Sequence, residues 1–131
     1  MSTLAKPRAA SATDVARHFI QCLEARDLEG ADALRASGCV FEFPGPNRFA
    51  SVRDQVAWSR DRYRSVRKTI HRCDQASVAD GAIVTMIGTL AGAWPDGTAF
   101  AGIRFIDRFH IQGGRIQSLM VWNDLALHRP D

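Results

Sequence analysis

The sequence predicts a single α+β domain in which helices cover one face of a mainly antiparallel sheet. Two observations carry that reading. Apolar residues recur with helical spacing only in the first half of the chain, and the second half alternates with period two between glycine-containing turns. With 131 residues, 46% of them hydrophobic, the chain is long enough to bury one core and too short for two.

Ser11 or Thr13 caps a first helix running to about Arg26, with Val15, Phe19, Cys22 and Leu23 on one face and His18 close to that stripe. After Asp27-Leu28-Glu29-Gly30, a short second helix from about Ala31 to Ala36 leads past Gly38 into the strand Cys39-Val40-Phe41-Glu42-Phe43. Pro44, Gly45 and Pro46 end that strand. A third helix, roughly Ser51 to Val66, aligns Val52, Val56, Tyr63 and Val66, with Trp58 off the stripe.

Four strands follow: Lys68 to Ala79, Ala82 to Ala93, Thr98 to His110 and Arg115 to Asn123. They are separated by turns at Ala79-Asp80-Gly81, Pro95-Asp96-Gly97 and Gly113-Gly114. A plain two-residue turn at Gly113-Gly114 would swap the faces of the last strand, so a bulge is expected there. It keeps Leu119, Val121 and Asn123 on the inner face with Met86, Gly88 and Leu90.

Within Ile103-Arg104-Phe105-Ile106-Asp107-Arg108-Phe109 the alternation puts Asp107 on the face of Ile103, Phe105 and Phe109. Moving an ionised carboxylate into apolar surroundings costs several kcal/mol at least. Asp107 therefore pairs with an arginine or a backbone donor, or it lines a pocket as an acid that burial holds protonated. His18 reads either as a pocket base or as a histidine satisfied in the core or at its rim.

Charge and motif content exclude several function classes. The net charge of +3 balances 17 Lys+Arg against 14 Asp+Glu, and the basic run from Arg53 to Arg72 is diluted by Asp54 and Asp61. It reads as a solvated helix face, not a nucleic-acid groove. The four histidines lack metal-ligand spacing, so no metal is expected. Gly113-Gly114 opens no helix, so no nucleotide loop is present and no cofactor is expected. Residues 1–10 read as a flexible tail without an apolar segment, and no apolar run approaches the ~18 residues of a membrane span. Three cysteines without CxxC spacing fit a reducing cytoplasm.

The element order, with Asp27-Leu28-Glu29-Gly30, the strand ending Phe43-Pro44-Gly45, Ile106-Asp107-Arg108-Phe109 and Gly114-Arg115-Ile116-Gln117, resembles the nuclear transport factor 2-like superfamily. Within it the chain is similar to the SnoaL-like and ketosteroid isomerase-like branches, from about Thr13 to Leu127. The resemblance implies one SnoaL-like domain over 11–131, cone-shaped, with three N-terminal helices packed on a strongly curved sheet. Ketosteroid isomerases hold the dienolate oxygen between a tyrosine and a protonated aspartic acid, and use a carboxylate base. Carried over position by position, the aspartic acid falls on Asp107, the tyrosine on Phe19 and the base on Phe43. A phenyl ring neither accepts a proton nor donates a hydrogen bond, so the steroid isomerase mechanism is not expected. The Asp or Asn that follows an aromatic on the last strand of polyketide cyclases matches Asn123.

Together these readings describe a pocket lined by Phe19, Phe43, Phe105, Val121 and Asn123, closed by Trp58, with Asp107 as its acid and His18 as the nearest candidate base. The expected ligand is small, mostly apolar and oxygen-bearing, and the expected chemistry is isomerisation, cyclisation, dehydration or epoxide opening. The alternative is a non-catalytic binding or assembly module on the same fold. Met120 and Trp122, on the outer face with Arg104, Ile106, Arg108 and His110, imply a homodimer through the sheet.

Overall fold

The computed structural model describes residues 11–45 and 47–130. The tail expected over 1–10, Pro46 and Asp131 lie outside the described residues. Four helices and six strands follow in the order α1 (Ala12–Glu24), α2 (Leu28–Ala33), β1 (Arg35–Phe43), β2 (Asn47–Phe49), α3 (Val52–Ser59), β3 (Ser65–Val78), β4 (Gly81–Ala93), β5 (Ala99–Gln112), β6 (Arg115–Asn123) and α4 (Leu125–His128).

The α+β class, the presence of three N-terminal helices and the turn positions are as the sequence predicts, but α2 spans Leu28–Ala33, earlier than the expected Ala31 to Ala36, and β1 already starts at Arg35. Ser11 starts α1 with a reciprocal capping box: its hydroxyl accepts from the Asp14 N–H at 3.1 Å, and Asp14 accepts from the Ser11 N–H at 3.2 Å. Val15, Phe19 and Cys22 are buried, so the apolar stripe read from the sequence is the face that packs on the sheet.

Three differences have local causes. The third helix stops at Ser59 instead of reaching Val66, because Tyr63 and Arg62 donate back to the Ser59 carbonyl in a tight turn and Ser65 already belongs to β3. Phe49 sits on the short strand β2, paired antiparallel to β1, in a stretch too brief to carry an alternation signal. α4 follows the last strand, its first N–H groups facing Asn123 and Asp124.

The sheet order is β2-β1-β6-β5-β4-β3. Every neighbouring pair is antiparallel except β1 and β6, which run parallel with Phe41 opposite Leu119. Placing β1 beside β6 completes the sheet around α1, and it could not be read from local pattern because the partners are distant in sequence. The expected bulge is present. Pairing of β5 with β6 shifts between His110 and Ile111, and Asp107 then faces Val121.

A second bulge does the same for β4 and β5. Trp94 and Thr98 close a loop over Pro95-Asp96-Gly97, and the register shifts again near Gly102, whose φ is +71°. That shift brings Met86 opposite Asp107 and keeps both inside.

At the centre of β4 stands Gly88, between Ile70 of β3 and Phe105 of β5. A Cβ there would lie 1.9 Å from the Thr69 carbonyl oxygen and 3.0 Å from the Phe105 ring. Gly88→Ala is therefore expected to force β3 away from β4 and to lower the unfolding free energy by about 1–3 kcal/mol, the usual range for overpacking. Urea denaturation followed by far-UV circular dichroism measures this, and an unchanged midpoint would contradict the tight approach.

Candidate functional site

Between α1, α3 and the inner face of the sheet lies a cavity of about 230 Å³. Its wall includes Phe19 of α1, Trp58 of α3, Val66 of β3, Leu90 of β4 and Val121 of β6, so most of the layers of the domain contribute. β5 contributes no wall residue among those described, because its inward side chains are covered.

Asp107 is one of those covered groups, at 0% exposure. Its Oδ2 accepts from the Lys68 ammonium, and its Oδ1 has no hydrogen-bond partner. Lys68 starts on β3, opposite Leu90, and reaches Asp107 on β5, two strands away. Between those two rows of the sheet, β4 carries Gly88, which pairs with Ile70 and Phe105. The ammonium nitrogen also lies 4.9 Å from the centre of the Phe105 ring, which flanks the route. Lys68 is itself a wall residue, 19% exposed along its side chain. The carboxylate is thus presented to the cavity through a lysine.

Burial pushes the Asp107 carboxyl above its ordinary value, while the Lys68 charge and hydrogen bond pull it partway back. Of the two alternatives read from the sequence the pairing is met, with the proton affinity raised by burial, while Asp107 itself is not part of the cavity wall. The partner is a lysine, where an arginine or a backbone donor was expected.

An aromatic corner forms the opposite wall. Phe43 lies 5.7 Å from Trp58 and Phe49 lies 5.2 Å from it, centre to centre. The Arg62 guanidinium covers Trp58 at 4.4 Å. Phe19 sits deeper, edge-on to Phe41 at 5.3 Å and to Phe109 at 6.1 Å. Two polar groups complete the wall. Gln55 is buried with its carbonyl oxygen unpartnered, and Glu24 accepts from the Lys68 backbone N–H at 2.9 Å.

Of the residues picked from the sequence, Phe19, Phe43, Trp58, Val121 and Asn123 meet on this wall. Asn123 spends its amide oxygen locally, accepting from the Leu125 N–H at 3.2 Å. Phe105 is buried behind the wall, beside Lys68. His18 is exposed on α1 and away from the cavity, because its position falls one step outside the buried stripe. The base suggested at His18 is therefore withdrawn.

Sequence reading passed over Lys68, Gln55 and Glu24. For Lys68 a signal existed: it alternates with Val66 and Ile70, the inward residues of β3, just as Asp107 alternates with Phe105 and Phe109. Two opposite charges on the apolar faces of neighbouring strands are each other's natural partners.

Against known families, residues 16–119 match the model of the SnoaL-like domain. The chain belongs to the SnoaL-like family. Solved structures agree on the fold. An NTF2-like protein of unknown function from Burkholderia pseudomallei K96243 superposes on this SnoaL-like domain with a TM-score of 0.76 at 15% identity, covering 92% of this chain and 95% of that one. TerC co-crystallised with polyporic acid gives 0.74 at 16% identity over 88% and 94%. A putative polyketide cyclase from Pseudomonas putida KT2440 gives 0.65 at 15% identity over 87% and 92%. No curated protein sequence matches the chain.

The raised proton affinity of Asp107 fixes the sign of a pH effect. A carboxyl held above its unfolded value binds its proton more tightly in the folded state. Its contribution to stability is then complete below the ordinary value of 3.8 and declines as pH rises through the folded value. Asp107→Asn cannot titrate. Urea denaturation of both proteins across pH is expected to show wild type losing stability relative to Asp107→Asn as pH climbs from about 4. A difference that stays flat, or moves the other way, would mean that Asp107 is not held above its ordinary value.

Proposed function

We propose that this SnoaL-like domain binds a small, mostly apolar, oxygen-bearing metabolite in the cavity and uses Lys68, backed by Asp107, to hold and polarise that oxygen. One observation carries the reading. Lys68 is the one cation of the wall among the described residues that is anchored to a fully buried carboxylate. A charge kept there against its desolvation cost is of most use to a ligand atom that carries, or acquires, negative charge.

A carbonyl whose oxygen accepts from the ammonium becomes more electrophilic at carbon, and the neighbouring C–H bonds become more acidic. An enolate or phenolate formed there is held by the same charge. Glu24, the one carboxylate among the described wall residues, takes the role of proton acceptor in place of His18. This chemistry covers the expected isomerisation, cyclisation and dehydration, and it covers epoxide opening with Lys68 as the donor. Asp107 itself acts through Lys68 as a positioning group.

Two further observations support an oxygen-bearing ligand. The carbonyl of Gln55 is buried at the wall without a donor, a state that costs about 1–3 kcal/mol and that a ligand hydroxyl relieves. A structural neighbour was crystallised with polyporic acid and another is described as a putative polyketide cyclase. The second reading, binding without turnover, draws on Phe19 and Phe43, which fill the two positions where ketosteroid isomerases carry reactive groups.

Isothermal titration calorimetry with 2-naphthol tests the role of Lys68. Lys68→Met keeps the length of the side chain and removes the charge, and it is expected to weaken binding about tenfold, the worth of one charge-assisted hydrogen bond. Equal affinity in the two proteins would show that Lys68 does not touch the ligand oxygen.

The same reading includes a homodimer in the cytoplasm. Trp122, Ile106 and Ile87 lie in register across β6, β5 and β4 on the outer face, and all three are exposed, Trp122 at 47%. Such an apolar row suits a second copy of the sheet. Three unpaired cysteines suit a reducing compartment, and among the described residues no helix is long and apolar enough to cross a membrane. Sedimentation velocity at micromolar concentration is expected to give a dimer for wild type and a monomer for Trp122→Glu. A monomeric wild type would rule the interface out.

A further inference from the structure

We infer that the ligand of this cavity is a small ring carboxylic acid, with its carboxylate on Arg62 and its second oxygen on Lys68. The inference rests on the pocket reading above and goes beyond it by naming the ligand's acidic group and the residue that receives it.

Arg62 follows α3 in the tight turn closed on the Ser59 carbonyl, and it is a wall residue of the cavity. The carbon of its guanidinium lies over the Trp58 ring, 4.4 Å from the centre, which restricts where the fork can go. No described carboxylate pairs with it: the acids of the six ion pairs in the domain belong to Arg35, Arg48, Lys68, Arg72, Arg104 and His110. Burial lowers the proton affinity of Arg62, and the charge of Arg129 lowers it further.

A half-buried guanidinium beside another cation, with no acid partner among the described residues, is a site for an anion. The wall as a whole repeats the imbalance. Arg26, Arg62 and Lys68 face the cavity against Glu24 alone, and only Lys68 has its counter-charge, behind it in Asp107.

The rest of the cavity limits what the anion is attached to. Phe43, Trp58 and Tyr63 offer flat apolar surface on the side of Arg62. Val66, Leu90 and Val121 offer aliphatic surface on the side of the sheet. The volume of about 230 Å³ lies below the ~300–1,000 Å³ typical of sites for drug-sized ligands, so one or two rings fill it. A free inorganic anion would leave this surface wet, and a neutral hydrocarbon would leave Arg62 without a partner. A ring acid satisfies both.

The probe is 6-hydroxy-2-naphthoate, set against 2-naphthol in isothermal titration calorimetry with wild type, Arg62→Gln and Lys68→Met. One charge-assisted carboxylate contact at a half-exposed site is expected to make the naphthoate bind about tenfold tighter than 2-naphthol in wild type. Arg62→Gln is expected to erase that margin and leave 2-naphthol within about twofold of its wild-type affinity, whereas Lys68→Met weakens both ligands. Arg62→Lys, which keeps the charge without the stacked fork, should retain part of the margin. Near-UV circular dichroism establishes that each variant is folded. If 2-naphthol binds through Lys68 but the carboxylate adds nothing, or if its margin survives Arg62→Gln, the assignment of Arg62 is wrong and the pocket reading stands. If neither compound binds wild type, both are wrong.

Discussion

The pairing of Lys68 with Asp107 is the constraint around which the inner face is arranged. A carboxylate with no exposed surface needs a cation, and the nearest one available from the sheet lies two strands away. The ammonium reaches it from β3 across β4, and Phe105 flanks it with a ring face that tolerates the charge. The two bulges serve the same end from the backbone side. Without them Asp107 would lose Met86 and Val121 as its flanking residues.

This arrangement separates two tasks that a pocket acid would have to combine. Asp107 sits in a dry position away from the wall, and Lys68 links it to the cavity. Because one carboxylate oxygen remains unpartnered, the pair is held by a single contact. Truncating either member of a buried pair leaves the other uncompensated, which is more costly than the net worth of the pair itself. The wall therefore has little freedom to change its charge one residue at a time.

Much of the fold was legible because it is written in local patterns. The Ser11 cap, the stripe through Val15 and Phe19, and the Asp-Gly and Gly-Gly turns each specify their neighbourhood, and Asp107 announced itself by alternation alone. The bulge after Gly113-Gly114 could be deduced because only one parity buries Leu119 and Val121. What escaped were relations between distant segments. The parallel pairing of β1 with β6 leaves no trace in either strand. Lys68 was read with the arginines around it as surface, although its own strand marked it as inward. His18 failed for a geometric reason: on a helix one residue is a 100° turn, enough to move a side chain from the core edge into water.

The parallel contact between β1 and β6 also orders events in time. β1 is made early on the ribosome, but Phe41 has no Leu119 to lie against until every other strand has been synthesised. Until then the wall between α1 and the sheet stays open, with Phe19 and Phe41 uncovered on one side. Contacts of such wide sequence separation slow folding, because the intervening chain must be ordered before they are rewarded. The cavity between α1 and the sheet is therefore completed only by the last strand of the chain.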